Sequence, residues 1–334
     1  MTPLKKSLPA WSTGRRTLLI GAAALATQTA WGQGASAFPN RPVRLVLPSP
    51  PGSLVDVMAR LFATGMGEAL QQPVVPDNKP GAGGVIAADL VAKAPADGHT
   101  LLLATDSLLT INPFIYPHLS YDPRKDFKPI SLLGKASVVL VAHPSLGVKT
   151  PADLIRLAKT KPGGLNYGSG GQGHTTHLAM ELFLKHTDTR MTHVAYKGTT
   201  PAMQALLGGE IGVVITGLAE ALPHIKAGKV VALASSGPLG KTIFPDLPEL
   251  KEINPALDMA FWFALLAPAQ TPASTIATLN AAVTRAAQSP EARQRLGEFG
   301  FTVMSSPPDV VDGLIVSDLS RYGPLIKSLN IKAE

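Results

Sequence analysis

The chain contains no cysteine. Disulfides, thiolate metal sites, a cysteine nucleophile and a lipid-modified cysteine behind an export signal are therefore excluded. Aromatic residues make up only 5% of the sequence, and no Lys/Arg-rich run is interleaved with them, so the signature of a nucleic-acid surface is missing. No apolar stretch reaches the roughly 20 residues that span a bilayer. Neither G-x-S-x-G nor S-x-x-K occurs in a fitting context, which leaves an exported hydrolase without its nucleophile and base. Repeats, low-complexity tracts and long linkers are absent as well.

What is present begins with an export signal over residues 1–37. Lys5, Lys6, Arg15 and Arg16 form its basic region, Thr17 to Thr27 its apolar run, and Ala35-Ser36-Ala37 a small-residue cleavage site. The Arg15-Arg16 pair is followed by Thr17-Leu18-Leu19-Ile20, a partial twin-arginine match, so the Sec and Tat routes both stay open. The apolar run is too short for an uncleaved anchor. The formal charge is +7; removing these four basic residues, and no acid, leaves +3 on a mature chain starting at Phe38. That mild positive balance suits an anionic small ligand. About 297 mature residues exceed what one core serves, so two lobes are expected.

Short apolar runs alternate with helical periods. The pattern predicts a strand over Val43 to Leu47, a helix over Asp56 to Leu70 with Val55, Met58, Ala59, Phe62 and Met66 on its inner face, a strand at Val74-Val75, a helix near Gly84 to Ala94 and a strand over Leu101 to Ala104. A second unit starts near Thr150-Pro151, with helices at Thr175 to Lys185 and Pro201 to Leu207 and strands at His193 to Tyr196 and Ile211 to Ile215. Apolar strands at Ser137 to Ala142 and Val230 to Ala234 bracket it and are natural hinge crossings. Phe261 to Ala267, a helix over Pro272 to Ala287 behind a Thr271 cap, another over Pro290 to Glu298 behind Ser289 and a last one from Pro308 pack back onto the first unit. Strand-helix alternation of this kind implies parallel sheets with ligands at the carboxyl ends of the strands.

Two loops lie at such ends. Leu45 to Asp56 runs from a strand through Pro50-Pro51-Gly52 into a helix, and Tyr167 to Thr176 is a Gly-rich turn into another. Each presents unpaired amide N–H groups and the positive end of a helix dipole, a site for an anion. Gly168, Gly170 and Gly173 formally satisfy G-x-G-x-x-G, but the preceding Leu165-Asn166-Tyr167 is short and polar where a dinucleotide site needs a buried strand. An anion loop, a plain turn and a dinucleotide site stay open there, in that order. His174 and His177 have a metal-compatible spacing without a third ligand; a helix-end histidine beside a flank histidine is the ordinary account. Asp56 fits a helix cap, a general base or a partner for a ligand cation. Asn78 to Gly84 reads as a tight turn into a helix, because it lacks the Gly-Lys-Ser/Thr ending of a phosphate loop.

These segments and their order resemble the substrate-binding proteins of tripartite tricarboxylate transporters, the Bug receptors. The resemblance covers nearly the whole mature chain: Arg41 to Val46, Pro50-Pro51-Gly52 with Asp56, Asn78 to Gly84, Ala94 to Leu102, Ile111-Asn112-Pro113, Tyr121-Asp122-Pro123, Tyr196-Lys197-Gly198, Leu222 to Gly228 and Leu265 to Pro268. It implies an α/β fold, a two-lobed periplasmic binding protein (type II-like) whose lobes are mainly parallel sheets flanked by helices, with a hinge between. The expected lobes are 38–140 plus 236–334 and 141–235. It further implies a monomer without cofactor or metal that closes on a small carboxylate and hands it to a membrane permease. A sensor presenting its closed form to a receptor kinase, or less readily an exported enzyme acting on carboxylates, are the rivals.

The ligand contacts expected from the first lobe are Ser49, Gly52, Ser53, Leu54, Val55 and Asp56, with Thr105, Asp106 and Ser107 bordering the cleft. From the second lobe they are Ser169, Gly170, Gln172, Gly173, His174 and Thr175, with Tyr196, Lys197 and Thr216. Ser53-Leu54-Val55 stands where relatives carry Gly-Ser-Thr, and Thr216-Gly217 where they often carry Asp-Asn. Both departures remove polar groups and point to an aromatic or otherwise partly apolar carboxylate.

Overall fold

The computed structural model describes residues 38–332 apart from Pro238. The predicted export signal, residues 1–37, lies outside the described residues.

The first half of the chain builds β1 (Val43–Leu47), α1 (Leu54–Leu70), β2 (Val74–Asn78), α2 (Val85–Ala92), β3 (Thr100–Thr105), two short helices α3 (Asp106–Thr110) and α4 (Asn112–Ile115), and β4 (Phe127–Ala136). Then come β5 (Val138–Ala142), α5 (Pro151–Thr160), β6 (Asn166–Ser169), α6 (Thr175–Thr187), β7 (Thr192–Ala195), α7 (Thr199–Leu207), β8 (Val213–Gly217), α8 (Leu218–Lys226) and β9 (Val231–Ser236). The chain ends with β10 (Phe261–Pro268), α9 (Ala273–Ala286), α10 (Pro290–Glu298), β11 (Phe301–Val303) and α11 (Pro308–Ser328).

The strands form two sheets, six-stranded in the order β11-β4-β10-β3-β1-β2 and five-stranded in the order β7-β6-β8-β5-β9. The parallel pairing expected from strand-helix alternation holds for β2-β1-β3 and for β7-β6-β8. The remaining pairs are antiparallel, so both sheets are mixed. The strands that carry the chain between the sheets, β4 with β5 and β9 with β10, run opposite to the strands they pair with. The expected lobe boundary at 140/141 falls inside β5, which lies wholly in the second sheet.

Phe127–Ala136 forms a strand that the sequence pattern above does not include; Pro129 and Gly134 interrupt its apolar run. Both are accommodated at irregularities: the register against β10 shifts between Phe263 and Ala264, opposite Gly134 and Leu132, and between Leu265 and Leu266, opposite Ser131 and Pro129. Helix caps follow the sequence more closely. Thr150 and Asp153 form a capping box, and Ser289 Oγ accepts the Ala292 N–H at 3.2 Å. The Thr271 cap is not formed; its hydroxyl donates to Pro268 O at 2.7 Å and Pro272 occupies the N-cap of α9.

The two sheets meet at their crossings. Ser137, fully buried, separates β4 from β5; it accepts the Leu218 N–H with its carbonyl at 2.8 Å and the Leu239 N–H with its hydroxyl at 2.9 Å. Gly237, after β9, lies against it, so that a Cβ there would stand 2.9 Å from Ser137 Cα. Helix α11 joins both halves, burying Val311 and Ile315 with the first sheet and Tyr322, Leu325 and Ile326 with the second.

Helix α1 covers the first sheet through Met58, Phe62 and Met66, all about fully buried at i, i+4 and i+8, each contributing roughly 1.5–3 kcal/mol of burial. Its partner α9 comes so close that a Cβ on Gly65 would lie 2.8 Å from both Cα and Cβ of Ala286. Gly65→Val is expected to cost about 1–3 kcal/mol by pushing these helices apart. Gly297→Ala, which faces open space in α10, is the control and should be neutral or slightly stabilising. Urea midpoints compare them, and equal midpoints for Gly65→Val and wild type would refute the packing account.

Candidate ligand-binding cleft

Every predicted ligand segment sits at a strand carboxyl end: after β1 (48–53), after β3 (Thr105 to Ser107), after β6 (Ser169 to Thr175), after β7 (Tyr196-Lys197) and at the end of β8 (Thr216). The tight turn after β2, Asn78 to Gly84, joins them. A cavity of about 520 Å³ opens between the loops of the two sheets, a size suited to a small ligand. Its wall takes Gly83, Ser107, Asn112, Ile115 and Tyr116 from the first sheet's side and Gly170 to Thr175 with Ala195, Tyr196 and Lys197 from the second. A larger cavity of about 580 Å³ is walled by α1, α9, α10 and the turn between the last two. It touches no loop at a strand end of the second sheet.

The loop after β1 is closed by Asp56. Its carboxylate accepts the Gly52 N–H at 2.9 Å, Arg60 Nε and Nη2 both at 3.0 Å, and Asn78 Nδ2 at 3.1 Å. Ser53 is the N-cap of α1, taking the Asp56 N–H at 3.2 Å, while Asn78 Nδ2 also donates to Ser49 O at 2.9 Å. Asp56 is buried and Ser53 half-buried, and neither lies on the cavity wall. Ser49, Gly52, Leu54 and Val55 likewise stay off the cavity wall. The amide N–H groups of Leu54 and Val55 make no hydrogen bond among the described residues.

The border after β3 is built the same way. Thr105 caps α3 and bonds Ser107 Oγ at 3.0 Å. Ser107 reaches the wall; Asp106 is buried behind it, accepting the Ser107 N–H at 2.6 Å. Asn112, reached in the sequence only as part of a family motif, donates to Gly83 O at 3.0 Å and so fixes the Gly-rich turn at the wall. Tyr116 and Ile115 gave no sequence signal for the cleft, since an aromatic beside a proline reads equally well as core.

The second-sheet loop is internally satisfied too. Gly170 N–H donates to Thr176 Oγ1 at 3.0 Å, Gly171 N–H to Ser169 Oγ at 3.1 Å and Gly173 N–H to His177 Nδ1 at 3.1 Å. His174 is the N-cap of α6, its Nδ1 accepting the Thr176 N–H at 3.2 Å. Both histidines of the metal-compatible pair therefore serve backbone amides, and the described residues hold no group of three His, Cys, Asp or Glu placed to take a metal. The strand before this loop, expected to be polar, is buried from Tyr167 to Ser169. Yet two of the three amides of the G-x-G-x-x-G pattern that a diphosphate would need, those of Gly170 and Gly173, are already bonded. Thr216 lies off the cavity wall with its hydroxyl donating to Glu220 at 2.6 Å. Gln172 and Thr175 keep amides without partners among the described residues, and exposed Lys197 supplies a cation.

Comparison with known proteins gives a consistent picture. The family model of the tripartite tricarboxylate transporter family receptor matches residues 58–331. BugT of Bordetella pertussis (strain Tohama I) is 35% identical over 300 residues, covering 89% of this chain and 92% of BugT. Rpa4515 of R. palustris, solved with adipate, superposes with a TM-score of 0.74 at 33% identity, over 88% of this chain and 99% of that one. MatC (Rpa3494) from Rhodopseudomonas palustris with bound malate gives 0.71 at 32% identity, over 86% and 100%.

Two buried carboxylates beside the cleft titrate in opposite directions. The Arg60 hydrogen bonds, against a burial penalty and with help from Gly52 and Asn78, hold Asp56 down at about 2. Its stabilisation is present above the ordinary carboxylate range and is lost as pH falls toward 2. Burial pushes Asp106 up to about 7, with Asp318 adding to the shift and Ser107 opposing it. The fold therefore disfavours its ionised form, and stability is lost as pH rises through about 7. Asp56→Ala is expected to cost about 1–2 kcal/mol at pH 7, with the deficit shrinking toward pH 2. Asp106→Asn should raise the thermal midpoint at pH 8 and leave it unchanged near pH 4. Melting curves across pH check both; parallel curves for variant and wild type would refute the assignments.

Proposed function

Because the chain belongs to the tripartite tricarboxylate transporter family of receptors, we propose that it captures a small carboxylate in the periplasm and delivers it to cognate membrane permease subunits. The family is one of solute-binding receptors, and this member is a binding protein rather than an enzyme. No helix among the described residues is long and apolar enough to cross a membrane. The observation that carries the proposal is the cavity between the two sheets, walled by strand-end loops from both.

A ligand that touches both walls stabilises the closed arrangement by its differential affinity for it, and nothing else can shift that equilibrium. The ligand carboxylate would be met by the spare amides of Gln172 and Thr175, the Ser107 hydroxyl and Lys197. Closure would bring the Leu54 and Val55 amides to it. Charge-assisted hydrogen bonds of this kind contribute roughly 1.5–3 kcal/mol each when buried. Tyr116, Tyr196 and Ile115 line the remainder and favour an aromatic or partly apolar carboxylate. Relatives solved with adipate and malate support the carboxylate part of the reading. No observation favours presentation to a receptor kinase.

A thermal-shift screen of the chain from Phe38 against adipate, malate, benzoate, citrate, glutamate and NAD tests this. A carboxylate at a hundred times its Kd stabilises by about 2.7 kcal/mol, a rise of about 4 °C in a chain of this size. Lys197→Met should weaken that acid about tenfold, roughly 1.4 kcal/mol, without lowering the unliganded midpoint. Tighter binding of citrate than of any acid with an apolar body would sink the apolar assignment; a shift with NAD alone would sink the proposal.

A further inference from the structure

His177 and His193 lie beneath the second-sheet loop, and neither reaches the cleft wall. Their rings stack face to face, with centroids 3.8 Å apart and planes 7° from parallel, and Tyr167 continues the stack 4.9 Å from His193. Each ring holds one end of the loop. His177 Nδ1 accepts the Gly173 N–H at 3.1 Å, and His193 Nε2 shares a 2.7 Å hydrogen bond with Ser169 Oγ, which in turn takes the Gly171 N–H at 3.1 Å. Between these anchors Gly171 (φ 134°) and Gly173 (φ 72°) flank exposed Gln172. Glycines at positive φ have no side chain to limit their motion, so the loop's order depends on what its amides bond.

We propose that His177 and His193 are positioning residues, a stacked neutral pair that fixes the Ser169 to Thr175 loop so that its remaining amides face the cleft. The inference rests on the carboxylate-binding reading above. The Nδ1 lone pair that receives Gly173 exists only in the uncharged ring, because an imidazolium has two donors and no acceptor. Burial first, then the neighbouring His193 and His174, lowers His177 to about 3, and burial lowers His193 to about 4. The titratable groups facing the stack among the described residues are Tyr167 from β6, Glu181 and His174 from α6. Tyr167 donates to Glu181, whose Oε1 is 3.9 Å from His177 Nε2. Since both rings titrate lower in the fold than free histidine, the loop is held fully above the ordinary histidine range and loosens as pH falls through about 4 to 3.

Amide exchange of Gly173, resolved by NMR on the chain from Phe38, reads the loop without any ligand. His177→Phe keeps a ring in the stack and removes the acceptor; His177→Asn places an oxygen where Nδ1 was. Gly173 exchange should quicken about tenfold in His177→Phe and return in His177→Asn, and adipate affinity, followed calorimetrically, should fall and recover in step. His193→Phe and His193→Gln should behave likewise at Ser169 and Gly171. The wild-type affinity should drop as pH falls from 6 toward 3, and the drop should be shallower in His177→Asn. Unchanged Gly173 exchange in His177→Phe overturns the proposal, as does faster exchange with unaltered adipate affinity. Should adipate fail to bind wild type while the exchange pattern holds, the failure lies with the ligand reading, and the pair still orders the loop.

Discussion

Ser137 and Gly237 touch, and the geometry of the cleft follows from that contact. The chain leaves the first sheet once, through buried Ser137, and returns once, past Gly237; because the returning residue has no side chain, the two passages lie side by side. Two adjacent strands crossing in opposite directions pair antiparallel with whatever they join. That explains why β4 and β10, and β5 and β9, are antiparallel while the strands bearing binding loops stay parallel. Parallel strands point all their carboxyl ends one way. The strand-end loops of both sheets line one cavity, and α11 packs on both cores.

Within the gap, the loops are not bare helix N-termini waiting for an anion. A buried amide without a partner costs about as much as a lost hydrogen bond, and each loop avoids most of that cost with its own side chains. Asp56 takes Gly52, Thr176 takes Gly170, His177 takes Gly173 and His174 takes Thr176. What remains is a small set, Leu54, Val55, Gln172 and Thr175. Selectivity follows from this economy, because few donors in fixed places read the shape of a carboxylate more sharply than many donors in a flexible loop.

Much of this order was legible in the sequence. Alternation and apolar spacing located β1 at Val43–Leu47 and the inner face of α1, and the Thr150 and Ser289 caps follow from local chemistry that short spacing reveals. β4 was not legible, since its Pro129 and Gly134 are tolerated only through irregular pairing with a strand far along the chain. The loops named from the sequence lie at strand ends, but the hydrogen bonds that close them were not read. Asp56 meets Asn78 across 22 positions and Ser169 meets His193 across 24; no periodicity carries such pairings. Asn112, Tyr116 and Gly83 escaped because a side chain pinning a turn and a side chain filling a core look alike in one sequence.

The charges around the cleft favour an anion over a cation. Of the side chains on the cavity wall, Lys197 carries the one formal charge, and no carboxylate stands there. The nearest acids are withdrawn: Asp56 is spent on Arg60 and its own loop, and burial favours the neutral form of Asp106. A cation entering the gap would meet Lys197 and the positive ends of α1 and α6, with no partner to offset its desolvation. An anion meets oriented amides that are already in place and need no reorganisation, which keeps the cost of binding low. The neutral histidine stack adds no further charge beneath the loop, so beyond Lys197 an anion there is read by hydrogen bonds from oriented amides. Short hydrogen bonds from both walls can form together only when the walls approach, which couples an anion's binding to the proposed closure of the cleft.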